Sequence, residues 1–501
     1  PAATTPVQTT PKPTTPTTVT PKRGGTLRVI QVNGPTNLSY VPEQNMTDET
    51  SAKAYAETLV YWAGNGEFLP ELATSWDLDQ ANKTVTFKLR QGVKFHDGTP
   101  FNAEAVRANV QLLIDNKRLS NGQFVTAIEA VDEYTFRYKL NGWMSPQLLL
   151  HSYGYNLLTM YSPTALQKNG KDWCKSNFVT TGPFIFESYT RDVGMKIVRN
   201  NSYWRGSQYP YMDAIQWIYV ADNTIAATKL QAGEGDAWTG PPLKETNDLL
   251  KMGFVNNPLP NMYQDIVLDN KTAGPFKDIR VREAVEYAID REGLAAAFGY
   301  GMLKPVFQVG PVGTAGHNPN FKERRYNVAK AKELLAAAGF SGGFSTTLLT
   351  MSGGRDVAAA LQAMLAEVGI KVTVDVADVG RYMGALYGPG WGGGILLFSV
   401  PIDPVFCIGW FVHFGPRAIF PYPSLEWPAQ YKTLTEAVYN APDAAGLAKA
   451  TQDMITFVNE QAVVIPLIQS LTSYVTTKAV KTDRYKDHFM VWHTYKDWLD
   501  K

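Results

Sequence analysis

The sequence predicts an α/β protein built from more than one lobe. Three observations predict it. A strand–helix–strand series between residues 345 and 376 is the building unit of α/β domains. Two separate stretches, 84–89 and 135–140, alternate apolar and polar residues in the manner of half-buried strands. The chain has 501 residues, 45% of them apolar; that is more than one core usually organises, and it suggests about two to four domains.

Each element has a local reason. Thr84–Leu89 puts Val85, Phe87 and Leu89 on one face and Thr84, Thr86 and Lys88 on the other. Gln91-Gly92 and Asp97-Gly98 supply turns after it. Asn102 then caps a helix running to about Asn116, with Glu104 in its first turn. Thr135–Leu140 is a second alternating strand. Asn327 caps a helix with apolar positions at Val328, Ala331, Leu334 and Leu335, closed by Gly339. A strand follows near Ser345–Met351, a helix near Arg355–Val368, and a strand over Ile370–Val376. The apolar run from Trp391 to Phe414 contains Pro401, Asp403, Pro404 and three consecutive glycines, so it reads as buried strand and loop rather than a membrane span.

Charge is balanced overall and uneven along the chain. The 47 basic and 46 acidic residues give a net charge of +1. The first 23 residues hold nine Thr, six Pro, no acid and three basic residues. Such a tract buries too little apolar surface to offset chain ordering, so 1–23 reads as a Thr/Pro-rich tether without a fixed fold. The remainder carries 44 basic against 46 acidic groups, a near-neutral body. That balance argues against a nucleic-acid-binding protein. The chain starts at Pro1 without Met, so it reads as processed.

Chemistry-bearing motifs are scarce. Two cysteines, Cys174 and Cys407, exclude a disulfide-dense scaffold and a Cys-based zinc cluster, and they read as free or buried thiols. HExxH, GxSxG and GxxxxGK[ST] are all absent. Gly388-Pro-Gly-Trp-Gly-Gly393 matches GxGxxG in form, but a strand-like run follows it where a helix is required. His96-Asp97-Gly98 reads as a tight turn before a capped helix rather than a catalytic group. No cofactor or metal is expected, and the chain is not expected to be an enzyme.

The most specific signal is a series of long ordered motifs. Tyr55-Ala-Glu-Thr-Leu-Val-Tyr61 is followed by Phe68-Leu-Pro-Glu-Leu-Ala-Thr-Ser-Trp-Asp77 and by Lys83-Thr-Val-Thr-Phe-Lys-Leu-Arg-Gln-Gly-Val-Lys-Phe-His-Asp-Gly98. Thr181-Gly-Pro-Phe184, Asn200-Asn-Ser-Tyr-Trp-Arg-Gly206 and Leu230-Gln-Ala-Gly-Glu-Gly-Asp236 come next, then Asp278–Arg291 and Tyr326–Phe340. Over residues 24–480 the chain resembles the family 5 extracellular solute-binding proteins of ATP-binding-cassette importers, the oligopeptide, dipeptide and nickel type.

The resemblance implies two α/β lobes of the periplasmic-binding-protein type with an extra subdomain and a ligand cleft between the lobes. Lobe one would comprise 24–63, 180–265 and 475–501, the subdomain 64–179, and lobe two 266–474. The crossings would lie near 263–270 and 466–476. The implied partners are a small solute, peptide-like or an oligosaccharide, and the permease and ATPase subunits of an importer. A monomer is expected outside the cytoplasm, in the periplasm or on the outer membrane face, with lipid anchoring through a residue preceding Pro1.

Candidate ligand-binding residues are Asn33 and Tyr40 after the first strand, Tyr263 at the crossing, and Trp391, Phe398, Asp403 and Trp410 in lobe two. Peptide receptors of this family hold the peptide amine with an acid shortly before an Asp-Pro pair. Counting back from Asp403-Pro404 places Val400 there, and counting forward from Trp391 places Gly394. Neither can neutralise an ammonium, which leaves Asp403 as the available acid. The aromatic segment Trp391, Phe398, Phe406, Trp410, Phe411 would suit sugar stacking. His413 is the single candidate for a metal-chelate site.

Overall fold

The computed structural model describes residues 20–62, 67–119, 122–143, 158–310, 312–401, 424–484 and 492–501. Two large sheets organise it. The first has seven strands, in the order Val255–Asn256, Tyr474–Thr476, Ala237–Thr239, Thr26–Gln31, Ala214–Tyr219, Gly194–Arg199 and Phe184–Thr190. Thr26–Gln31 lies at its centre because Leu27, Val29 and Ile30 are all fully buried. It runs parallel to both neighbours, and strands buried on both faces favour such continuous apolar runs.

The second sheet has six strands, in the order Lys304–Pro305, Val464–Thr472, Leu259–Leu268, Ile395–Pro401, Phe344–Met351 and Ile370–Ala377. The expected strand–helix–strand unit is here, as Phe344–Met351, Arg355–Glu367 and Ile370–Ala377, with its strands parallel. Leu259–Leu268 shows why this sheet has two covered faces. Ile266 and Leu268 join the apolar cluster of Val281, Val285, Leu335 and Leu361. Tyr263 and Val267 join the other, which contains Tyr382, Tyr431, Val438 and Val458. Residues two apart share a face, so the strand feeds two cores at once.

A four-stranded antiparallel sheet forms the subdomain, in the order Ala73–Asp79, Thr84–Leu89, Thr135–Leu140 and Val125–Asp132. Thr84–Leu89 and Thr135–Leu140 have the bounds their alternation predicts. The helix Ala103–Asp115 is capped by Asn102, whose Oδ1 accepts from Ala105 N at 3.0 Å.

Several of the long sequence motifs meet where this subdomain adjoins the first lobe. Glu57 is buried and accepts from Thr181 Oγ1 at 2.8 Å, Tyr203 Oη at 2.7 Å and Trp204 Nε1 at 2.9 Å. Three motif segments far apart in sequence thus converge on one carboxylate. His96 Nε2 donates to the Gly182 carbonyl at 3.0 Å while its Nδ1 accepts from Thr180 N at 3.4 Å, the pattern of a neutral ring, and burial lowers its pKa to about 4. Asp97 accepts from Thr99 N at 3.0 Å and Ser162 Oγ at 2.6 Å. Gly98 has φ +82°, so the turn reading of His96-Asp97-Gly98 agrees with its geometry.

Other motif charges are also structural. Asp236 pairs with Arg28 through two 3.0 Å contacts and with Lys501 at 2.6 Å. Asp278 caps its helix and pairs with Arg280 at 2.5 Å. Arg282 donates to the carbonyls of Phe276, Lys277 and Gln461 at 2.8 to 3.0 Å. Cys174 is buried and unbonded to another cysteine; Cys407 lies outside the described residues. Residues 1–19 of the expected tether do as well, while Lys22 pairs with Asp500 at 2.7 Å. No helix among the described residues is long and apolar enough to cross a membrane.

Candidate ligand-binding region at the hinge

The chain passes between the two large sheets twice, side by side. Val255–Asn256 ends in the first sheet and Leu259–Leu268 begins in the second. Val464–Thr472 ends in the second and Tyr474–Thr476 begins in the first. The passages pair with each other: Leu259 lies opposite Thr472, and Asn256 opposite Val475. Asn257 N donates to the Tyr474 carbonyl at 3.0 Å, and Asn256 Nδ2 to Ser473 Oγ at 3.3 Å.

The sequence placed the first passage at 263–270. That stretch instead belongs to a strand that runs on to Leu268, and residues 259–265 belong to the second sheet. Pro258 explains the position of the break. It has no N–H to donate, so the pairing that Asn257 still makes with Tyr474 lapses at residue 258 and resumes in the same register at Leu259. A cavity of about 550 Å³ opens beside this ribbon. Pro258 lines it from one passage, Gln469 and Leu471 from the other, and Lys304 and Phe307 from the second lobe.

The candidate residues within the described chain are distributed over both lobes, and none of them is among the residues that line this cavity. Asn33 is exposed in the loop just past Thr26–Gln31, and its carbonyl accepts from Gln31 Nε2 at 2.7 Å. That loop lies at the C-terminal end of a parallel strand, the usual place for ligands in open α/β sheets. Tyr40 is half-buried and leads a short turn, its N–H donating to Asn37 Oδ1 at 2.9 Å. Tyr263 is fully buried, paired with Val400 on one side and Gln469 on the other. Phe398 pairs with Asp265, two residues along the same face from Tyr263. Trp391 is buried in the same apolar cluster as Tyr263, with Phe398 packed against it. Tyr263 and Phe398 are therefore brought together on neighbouring strands, whereas Trp391 precedes Ile395, which pairs with Leu268 at the far end of that strand, and Asn33 and Tyr40 stand in the loop beyond a strand of the other sheet. Asp403, Trp410, Phe406, Phe411 and His413 lie outside the described residues.

Gly394 admits no acid. A Cβ there would come within 2.5 Å of Thr347 Oγ1 and 2.7 Å of the Thr347 carbonyl. Gly393 N donates to Asp269 Oδ2 at 2.7 Å, and Asp269 also accepts from Thr272 N at 2.8 Å, so this glycine turn is tied to the end of Leu259–Leu268.

Sequence reading missed two buried charges here. Asp265 is fully buried, and neither carboxyl oxygen has a hydrogen-bond partner among the described residues. Loss of solvation pushes its pKa well above the usual carboxylate range. A period-two reading of Met262–Leu268 would have flagged it, because it falls on the same face as Tyr263 and Val267. Arg484 is 5% exposed and stacks 3.9 Å from the Trp492 ring and 4.4 Å from Tyr474, with Nη1 on Thr239 Oγ1 at 3.0 Å. No local pattern marks it, since its partners come from three separate segments. Among the described residues, no three His, Cys, Asp or Glu side chains gather in a way that would hold a metal ion.

Residues 67–394 match the model of the bacterial extracellular solute-binding proteins, family 5. The chain belongs to this family. It is 31% identical over 438 residues to the glutathione-binding protein GsiB of Pectobacterium atrosepticum, covering 83% of this chain and 81% of that protein. It is 34% identical to GsiB of Shigella flexneri over 64% of this chain and 63% of the relative. Among solved structures, HbpA2 from Haemophilus parasuis superposes with a TM-score of 0.82 at 21% identity, covering 95% of this chain and 100% of that one. The periplasmic binding protein DppA from Helicobacter pylori, in complex with the peptide STSA, gives 0.78 at 24% identity, over 96% and 99% of the two chains. These solved structures confirm the two-lobed periplasmic-binding-protein fold. As a family 5 member, this chain is an extracellular solute-binding protein.

Proposed function

We propose that this protein captures a peptide-like solute between its lobes and presents it to the permease and ATPase subunits of an ATP-binding-cassette importer. The observation that carries the reading is the paired passage at 256–259 and 472–474, set within a chain that is similar along most of its length to glutathione-binding proteins. Two adjacent strands are a hinge on which two lobes close around a ligand. Ligand drives closure only by binding the closed state better than the open one.

In this reading one lobe comprises 24–63, 180–258 and 474–501, the subdomain 64–179, and the other lobe 259–473. Asn33 and Tyr40 contact the solute from the first lobe, and Tyr263, Trp391 and Phe398 from the second. Asp403 and Trp410 remain candidates on the grounds of their sequence position. The protein works as a monomer on the outer side of the cytoplasmic membrane.

The test is calorimetric titration with glutathione, with di- to tetrapeptides, and with N-acetylated forms of each. Saturable binding of one of these at micromolar or tighter affinity is expected. Binding of sugars and of none of the peptides would overturn the reading. An affinity untouched by N-acetylation would show that the amine is not recognised.

A further inference from the structure

A second polar site, sharing no lining residue with the hinge cavity, lies where the subdomain, the first lobe and the C-terminal segment meet. A cavity of about 580 Å³ opens there. Arg90 and Gly92 line it from the subdomain, Trp204 and Arg205 from the lobe, and Tyr495 and Lys496 from the C-terminal segment. Its described lining contains three cations and no carboxylate.

The cations are held in place from beneath. The Arg90 and Arg205 guanidinium groups lie 4.3 and 4.2 Å from the Trp204 ring centre. Arg205 is also 4.9 Å from the Tyr495 ring, and Lys496 Nζ is 5.5 Å from it. Trp204 is fixed by its hydrogen bond to Glu57, and Arg205 Nε donates to Tyr203 Oη at 3.1 Å, itself bonded to Glu57. Stacking on aromatic faces orients a guanidinium without consuming its N–H donors.

Those donors are poorly used. Arg205 Nη2 is buried and has no hydrogen-bond partner among the described residues, and its nearest carboxylate oxygen in an ion pair, Glu71 Oε1, is 3.8 Å away. Arg90 Nε donates to the Glu71 carbonyl at 3.1 Å, an acceptor without charge. Lys496 is 3.7 Å from Asp483 and 43% exposed. The positive charge of Arg205 disfavours the charged form of Arg90, adding to the effect of burial. Both guanidinium groups stack on one indole, and an oxyanion in the cavity can accept from those N–H groups that face it.

We propose that this cavity binds a small oxyanion, a phosphate or carboxylate group, through Arg90, Arg205 and Lys496. The site is independent of the inter-lobe cleft, and the reading of that cleft as a peptide site does not bear on it. The test uses the full chain with ¹⁵N-labelled tryptophan. Inorganic phosphate and citrate are titrated separately at constant ionic strength while the Trp204 indole cross-peak is followed. A saturable shift at up to about 10 mM anion is expected, and the anion that produces it identifies the chemistry. Lys496→Gln, an exposed change, should weaken binding about five- to tenfold, and Arg205→Gln should abolish it, while solute affinity in the cleft stays unchanged. No saturable shift with either anion overturns the proposal. So does a shift that survives both substitutions with unaltered affinity.

Discussion

Asp265 stands directly opposite Phe398 on the neighbouring strand of the second sheet, fully shielded from solvent, with neither carboxyl oxygen bonded among the described residues. A buried polar group without partners costs roughly 1–3 kcal/mol. Asp265→Val keeps strand propensity and removes that cost, so it should stabilise the second lobe by about that amount. The folded pKa of Asp265 lies above its unfolded value, so its contribution is most favourable below the unfolded pKa and worsens as pH rises toward the folded one. The gain from Asp265→Val should therefore be larger at pH 8 than at pH 4. Thermal unfolding at the two pH values checks this; a destabilised variant would mean that the carboxyl has a partner in solution.

Two other groups set a pH dependence near neutrality. Asp497 is buried, accepts from Trp492 Nε1 at 2.7 Å, and has its pKa pushed up to about 7 by loss of solvation. Glu57 is raised as well, by burial and by the charge of Glu71. Both take up protons in the folded state at a pH where the unfolded chain has released them. Stability should therefore decline as pH rises through about 7. Asp497→Asn should flatten that decline while retaining an acceptor for Trp492. Unfolding midpoints between pH 5 and 8 read the slope, and an unchanged slope would count against this assignment.

The acid side is governed by histidines. His96 and His493 are buried with pKa values lowered to about 4 and about 3. Their stabilisation is present above the unfolded histidine pKa of about 6.5 and is lost as pH falls through the folded values. Acidification below about 4 should then protonate His96, and below about 3 His493 as well, loosening the first lobe and its joint with the subdomain. The C2 proton shifts of these two rings, followed by NMR against pH, should stay at neutral-ring values down to about pH 5. Ordinary titration near 6.5 would contradict the burial.

A buried charge network braces the second lobe. Arg291 is fully buried and donates to Glu286 Oε1 at 3.2 Å and to the Pro466 carbonyl at 2.6 Å; Arg324 donates to Glu286 Oε2 at 3.0 Å. Glu286→Leu leaves Arg291 buried without its counter-charge and should cost about 3–5 kcal/mol. Replacing Glu286 and Arg291 together by Leu and Met should cost less than Glu286→Leu alone. Denaturant unfolding of the single and double variants makes the comparison.

Gly394→Ala tests the glycine turn. The added Cβ meets the Thr347 hydroxyl and backbone carbonyl, a clash that should cost about 1–3 kcal/mol. Thr347→Ala would relieve the first contact and leave the second, giving partial rescue in the same unfolding assay.

Much of the fold was legible because local rules and tertiary packing agree. Asn102 and Asn327 cap the helices the sequence assigns to them, and the alternation of Thr84–Leu89 survives intact in the sheet. The hinge was not legible in the same way. Its position depends on which ladder each strand joins, and the ten residues of Leu259–Leu268 look the same whichever sheet they enter. The convergence on Glu57 was equally hidden, because its partners lie 124 to 147 residues away. Motif order identified those segments, but only the folded chain shows that they meet.

The side-by-side passages at 256–259 and 472–474 also limit how the two halves can move. Connections at opposite ends of an interface would define two pivots and resist rotation. A single ribbon instead acts as the spine of a book, with one dominant angle. One spectroscopic ruler, with a label on each half far from the spine, would then suffice to follow the whole conformational coordinate.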